Sequence, residues 1–81
     1  MSAGEAPDLV AARDEVGRAI ARLSTDEQIV LGLRFGRDLT VPQIASHLGL
    51  AEGTVKSRLH HALAHFRSAL AAERRVEEFG R

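Results

Sequence analysis

The 81-residue chain has no cysteine, tryptophan or tyrosine, only three phenylalanines and only two prolines. Without cysteine, neither a disulfide nor a thiolate metal site is available. With so few aromatics, the core must be built from Leu, Val, Ile and Ala. Scarce proline beside abundant Ala and Leu favours helix. No apolar run approaches the roughly 18–20 residues needed to span a bilayer. The N-terminal MSAGEAPD lacks the basic start and apolar stretch of a signal peptide, so the chain reads as cytoplasmic, with no membrane partner. A chain this short is one small domain with a small core.

Net charge is also lacking: eleven basic and eleven acidic residues cancel. The cancellation hides a polarity. Up to Leu33 there are three basic and six acidic residues; from Arg34 to Arg75 there are seven basic and three acidic. Positive charge is therefore collected in the second half, which fits nucleic acid on one side. Phosphate contacts supply most of the affinity of a DNA reader, so zero net charge predicts modest intrinsic affinity and work inside a larger assembly.

Periodicity predicts four helices, near residues 8–22, 25–35, 41–48 and 52–72, between a linker-like segment (1–7) and a flexible, mixed-charge tail (73–81). In the first, Asp8 is the expected N-cap, and Leu9, Val16, Ile20 and Leu23 share a face with Ala12 and Ala19 between them. Ser24-Thr25-Asp26-Glu27 is a capping box that starts the second. There Ile29, Val30 and Leu33 supply the apolar side, Gly36 is the expected end, and Arg34 and Arg37 lie near it. Thr40-Val41-Pro42-Gln43 is a second capping box, with Pro42 tolerated in the first turn. Val41, Ile44, Ala45 and Leu48 form the buried stripe of the third helix. Gly49 is the expected left-handed terminator, and Leu50 plugs the core just after the turn.

The fourth helix shows the clearest period. Val55, Leu59, Ala62, Leu63, Phe66 and Leu70 recur at spacings of three and four and face the core. Ser57, His61, Ala64 and Ser68 lie opposite. Lys56, His60 and Arg67 flank one side; Thr54, Arg58 and His65 flank the other. A short helix, a glycine turn and a second helix with a small, polar, cationic outer surface make a helix-turn-helix, whose second helix enters the major groove of DNA. Lys56, Ser57, His60 and His61 are expected to face the groove. Thr54, Arg58, Gln43, Arg37 and Arg67 are the expected phosphate contacts. Arg58 turns toward a flank, where an intramolecular pair competes with a phosphate. Gly53 leaves room for a phosphate backbone to approach the helix start. The expected fold is all-α: a four-helix domain with a C-terminal helix-turn-helix, of the winged-helix-like class.

Taken together, LSTDEQIVLGLRF, GRDLTVPQIASHLGL and AEGTVKSRLHHALAHFRSAL resemble region 4 of a bacterial sigma factor of the extracytoplasmic-function type. The resemblance covers about residues 9–70. Its sharpest part is EGTVKSRLHHAL, with Leu31 to Arg34 and Ile44 to Gly49 adding to it. It implies recognition of the promoter minus-35 element, docking on the flap of the RNA polymerase β subunit, and occlusion by an anti-sigma factor as a further partner. It implies that Lys56 and Ser57 fall where the family contacts backbone and base edges. His61 stands where the family often has Arg, and an imidazole is a weaker phosphate partner than a guanidinium. Asp26-Glu27-Gln28 is less basic than the family tends to be. Nothing in the chain resembles the region that opens the minus-10 element. MSAGEAP resembles the end of an interdomain linker, which favours an excised C-terminal domain over a small standalone protein.

Two other functions compete. A LuxR-type effector domain shares the I-A-x-x-L and T-V-K core, but that family typically has Thr-His-Leu where this chain has Ser57-Arg58-Leu59. A sigma-like interaction module that binds an anti-sigma factor or polymerase, with little DNA binding, is favoured by net neutrality and by His61. An enzyme is disfavoured. His61 and His65 are four apart, but no H-E-x-x-H motif, carboxylate pair or glycine-rich phosphate loop accompanies them. No cofactor, metal or small-molecule substrate is expected.

Overall fold

A computed structural model describes residues 7–79, and side chains over 13–75. The expected linker over 1–6 and the packing of Leu9 and Ala12 lie outside the described residues or side chains, whereas Pro7, expected in the linker, and Asp8, expected as the N-cap, are already helical. Four helices follow one another: α1 (Pro7–Ala21), α2 (Thr25–Leu31), α3 (Val41–Leu48) and α4 (Glu52–Phe79). No strand is present among the described residues.

The starts of α2 and α3 are set by local chemistry. At α2, the Ser24 hydroxyl accepts from the Glu27 N–H at 3.2 Å, and the Ser24 N–H donates to Glu27 Oε1 at 2.9 Å. At α3, Thr40 and Gln43 make the same reciprocal pair. Both boxes satisfy amide groups that a helix start leaves open. Gln28 performs the complementary task for α1. Its Nε2 donates to the carbonyls of Ile20 and Leu23, each at 3.1 Å, and so closes the last turn.

The second helix departs from the expected run over 25–35. After Leu31 the chain widens into a π-helical turn, Gly32–Gly36. The Arg37 N–H bonds the Gly32 carbonyl at 2.9 Å, and the Leu39 N–H reaches Leu33 at 3.0 Å. Gly32 and Gly36 bracket this turn, and glycine disfavours a regular helix by about 1 kcal/mol against Ala. Asp38 then takes a left-handed conformation with φ of 60°, which Asp tolerates better than most residues. Gly49 ends α3 with φ of 69°, and the Leu50 N–H closes onto Ala45 at 2.9 Å.

The core is small. Val30, Ile44, Ala45, Val55, Leu59 and Ala62 are buried together, with Leu31, Leu33, Leu39, Val41, Leu48 and Leu50 packed around them. It lies between α2, α3 and the first half of α4, and so fixes the angle at which α4 leaves the turn. Val16 and Ile20, expected inside, are more than a third exposed, as is Ile29; Ala19 of α1 and Leu23 just after it are buried. On α4, Ala69 is buried, while Leu63 and Leu70 are half-buried.

The last helix runs to Phe79, past the expected end at residue 72. Glu73, expected in a solvated stretch, is only 7% exposed. Its carboxylate takes Arg18 Nε at 2.8 Å and Arg22 at 2.5 Å, while Arg74 lies 3.9 Å from Glu15. Arg18 of α1 and Arg22 just after it therefore hold α1 against the second half of α4.

Candidate nucleic-acid interface

The outer surface of α4 begins at its N-terminus. Val55, Leu59 and Ala62 point inward onto Ile44 and Ala45 of α3. At about 100° per residue, that anchoring turns Ser57, His60 and His61 outward with Lys56 beside them. All four are exposed, as are Gly53 and Thr54. His60 and His61 meet edge to face, with ring centroids 5.7 Å apart. Exposed, small and polar side chains over the first two turns make a surface that a duplex groove can approach, and donors there can reach base edges.

The other expected residues divide. Gln43 is exposed, but its Oε1 accepts from the Thr40 N–H at 2.8 Å as part of the α3 cap. Arg37 is exposed directly after the π-helical turn. Arg67 is exposed about three turns beyond Lys56, beside Leu70, Ala71, Arg74 and Arg75 rather than among the residues at the helix start. Arg58 faces α2, its guanidinium 3.9 Å from the Asp26 carboxylate. One turn pair further, His65 Nδ1 lies 2.9 Å from Glu27 Oε1. Glu27 is held below its usual carboxylate pKa, first by the Ser24 N–H and then, against the opposing effect of burial, by His65. The two flanks of α4 are thus unequal: the Lys56 side is open, and the Arg58–His65 side is engaged by the acidic first turn of α2.

Sequence patterning missed a second surface. An open apolar groove of about 640 Å³ runs between α1, the end of α2 with its π-helical turn, and the middle of α4. Ile20, Leu31, Phe35, Leu63 and Phe66 line it. Phe35 is 62% exposed and stacks under Arg34, whose guanidinium lies 5.6 Å from the ring centre. Arg34 also donates to the Leu39 carbonyl at 3.3 Å, so it braces the turn that carries Phe35. The signal for this groove was Leu63 and Phe66, which were assigned to the core. They reach only half burial because α1 stands away from them at Ile20. No group of three or more potential metal ligands is present among the described residues, and no helix there is long and apolar enough to cross a membrane.

Comparison with known proteins supplies the context for these two surfaces. Residues 13–66 match the family model of sigma-70, region 4. The ECF RNA polymerase sigma factor SigL of Mycobacterium tuberculosis is 45% identical over 55 residues, covering 68% of this chain and 31% of that protein. The ECF RNA polymerase sigma factor RpoE of Cereibacter sphaeroides is 39% identical over 56 residues, 69% of this chain and 31% of its own length. The RNA polymerase principal sigma factor HrdC of Streptomyces coelicolor is 31% identical over 81 residues, covering 95% of this chain and 24% of that protein. The chain thus spans a third or less of these relatives. The matched segment takes in the end of α1, both capping boxes, the π-helical turn and the outward residues of α4, and on that match the chain belongs to the sigma-70 region 4 family.

Proposed function

We propose that this domain recognises the promoter minus-35 element as the region 4 reader of a sigma factor. In this role α4 lies in the major groove and the apolar groove docks on the RNA polymerase β-subunit flap. The observation that carries the first half is the exposed row Lys56, Ser57, His60 and His61 at the start of a helix whose opposite face is locked into the core. Ser57 and His61 can exchange hydrogen bonds with base edges, while Lys56 neutralises a phosphate. Thr54 and the first amide groups of α4 are suited to a phosphate oxygen, with Gly53 leaving space for it. Arg37, Gln43 and Arg67 are assigned to flanking phosphates. The domain has no catalysis of its own and works in the cytoplasm without a cofactor.

The apolar groove supports the polymerase contact and, equally, occlusion by an anti-sigma factor. An amphipathic helix is the partner such a groove accepts, and Phe35 is the aromatic anchor expected at the centre of such an interface. It also favours the second reading, a protein-interaction module with little DNA binding.

Selection from a pool of randomised duplexes separates them. A minus-35 reader enriches a short consensus that Ser57→Ala or His61→Ala alters. Failure to enrich any sequence, together with retained capture of polymerase core, selects the interaction module instead. Phe35→Ala is expected to leave DNA binding and folding intact and to weaken capture of the core enzyme at least tenfold. Undiminished capture would remove the groove from that role.

A further inference from the structure

The acidic first turn of α2 and one flank of α4 meet at two places. Asp26 lies 3.9 Å from Arg58, and Glu27 lies 2.9 Å from His65. Arg58 and His65 are seven residues apart, two turns along the same side of the helix. Across the helix, neither Lys56 nor His60 forms an ion pair among the described residues, although Glu52 lies one turn before Lys56. Both acids sit at an amino-terminal helix end, where negative charge is already favoured, so they do not depend on the α4 cations to be there. Asp26 is also 72% exposed, free to follow Arg58 but close enough to compete for it.

We propose that Asp26 and Glu27 are positioning residues that limit DNA affinity: they keep Arg58 and His65 on the α2 side, so that α4 grips phosphate from the Lys56 flank alone. This rests on the assignment of α4 as the DNA-reading helix. An exposed pair at this distance contributes little to stability, yet it decides the direction in which the Arg58 guanidinium points. Each phosphate neutralised by a cation adds close to one unit to the dependence of log K on log salt. An Arg58 held by Asp26 is missing from that sum, and an Arg58 released from it is counted.

The test is a salt series of binding between the full chain and a labelled mixed-sequence duplex, read by fluorescence anisotropy, with thermal melts to establish folding. Asp26→Asn is expected to tighten binding about three- to tenfold at low salt and to steepen the slope by about one unit. Asp26→Glu, which keeps the charge, is expected to behave as the parent. Arg58→Ala is expected to leave the parent's slope unchanged and to abolish the gain in the Asp26→Asn background. If Asp26 acted only by repelling phosphates, the gain would survive Arg58→Ala, and the proposal would be overturned. It is overturned equally if Arg58→Ala flattens the slope of the parent, or if Asp26→Asn leaves the slope where it was. Absence of salt-dependent binding by every variant, parent included, would instead remove DNA reading by α4 and this inference with it.

Discussion

Two glycines near the turn do different work, although neither has a neighbouring atom within 4 Å of where a Cβ would stand. Gly49 has φ of 69°, so a side chain there meets strain in the backbone alone. Gly49→Ala should cost roughly 1–2 kcal/mol, read as a drop in thermal midpoint of several degrees. Gly53 carries no such conformation. Gly53→Ala should stabilise α4 by up to about 1 kcal/mol and, if α4 binds DNA as proposed, weaken that binding, because the new methyl occupies the space assigned to a phosphate. Stability and binding moving together in Gly53→Ala would show that the space has no such use. At this scale much was legible. Gly49, both capping boxes and the outward row on α4 follow from spacing and residue type alone. Glu27 was read correctly as the far member of a capping box, but its pairing and that of Asp26 across to α4 depend on the angle between two helices, which no local pattern contains.

At the scale of elements, the clearest departure is the second half of α4. The sequence AAERRVEEF has no apolar stripe, and on that ground the helix was expected to fade near residue 72. It continues because Glu73 turns inward and is met by Arg18 of α1 and Arg22 just after it. A carboxylate is legible as a packing residue only once its partners on a distant helix are known. The same cluster makes stability depend on pH. Glu73 is held below the ordinary value of 4.5 chiefly by the Arg18 hydrogen bond, with Arg22 adding to it and burial opposing. Glu27 is lowered in the same direction. A carboxylate whose folded pKa is depressed contributes stability that is complete above its unfolded value and is lost as pH falls through the folded one. Thermal midpoints should therefore hold from neutral pH to about 4.5 and fall below it. Glu73→Gln should lower the midpoint at neutral pH and make the acid decline shallower. An acid decline equally steep in Glu73→Gln would place the sensitivity elsewhere. The π-helical turn was likewise invisible, since GLRFG fits an α-helical end as well. Its widening turns Phe35 into solvent and creates one wall of the groove.

For the whole molecule, the charge polarity seen in the sequence acquires a direction. The acidic first turn of α2 does not face away from the cationic helix but partly neutralises one of its flanks. What remains open is a narrow edge carrying Lys56 on a slab of 44 × 32 × 15 Å, whose long dimension matches the 28 residues of α4. Modest charge on the outer edge of α4 and an open apolar groove beside it fit the proposed role, in which promoter binding is shared with a protein partner. The core behind that edge is minimal, so a substitution such as Ile44→Ala, at a fully buried site, should cost roughly 2–5 kcal/mol and remove much of the stability available to so small a domain.

The central claim is that Lys56 on the open flank of α4 neutralises a DNA phosphate. The most direct measurement is the slope of log K against log salt for the parent and for Lys56→Ala on duplex DNA. The account predicts binding that weakens steeply with salt in the parent, and a slope shallower by about one unit in the variant. An unchanged slope in Lys56→Ala, or binding in the parent that does not respond to salt, would contradict it.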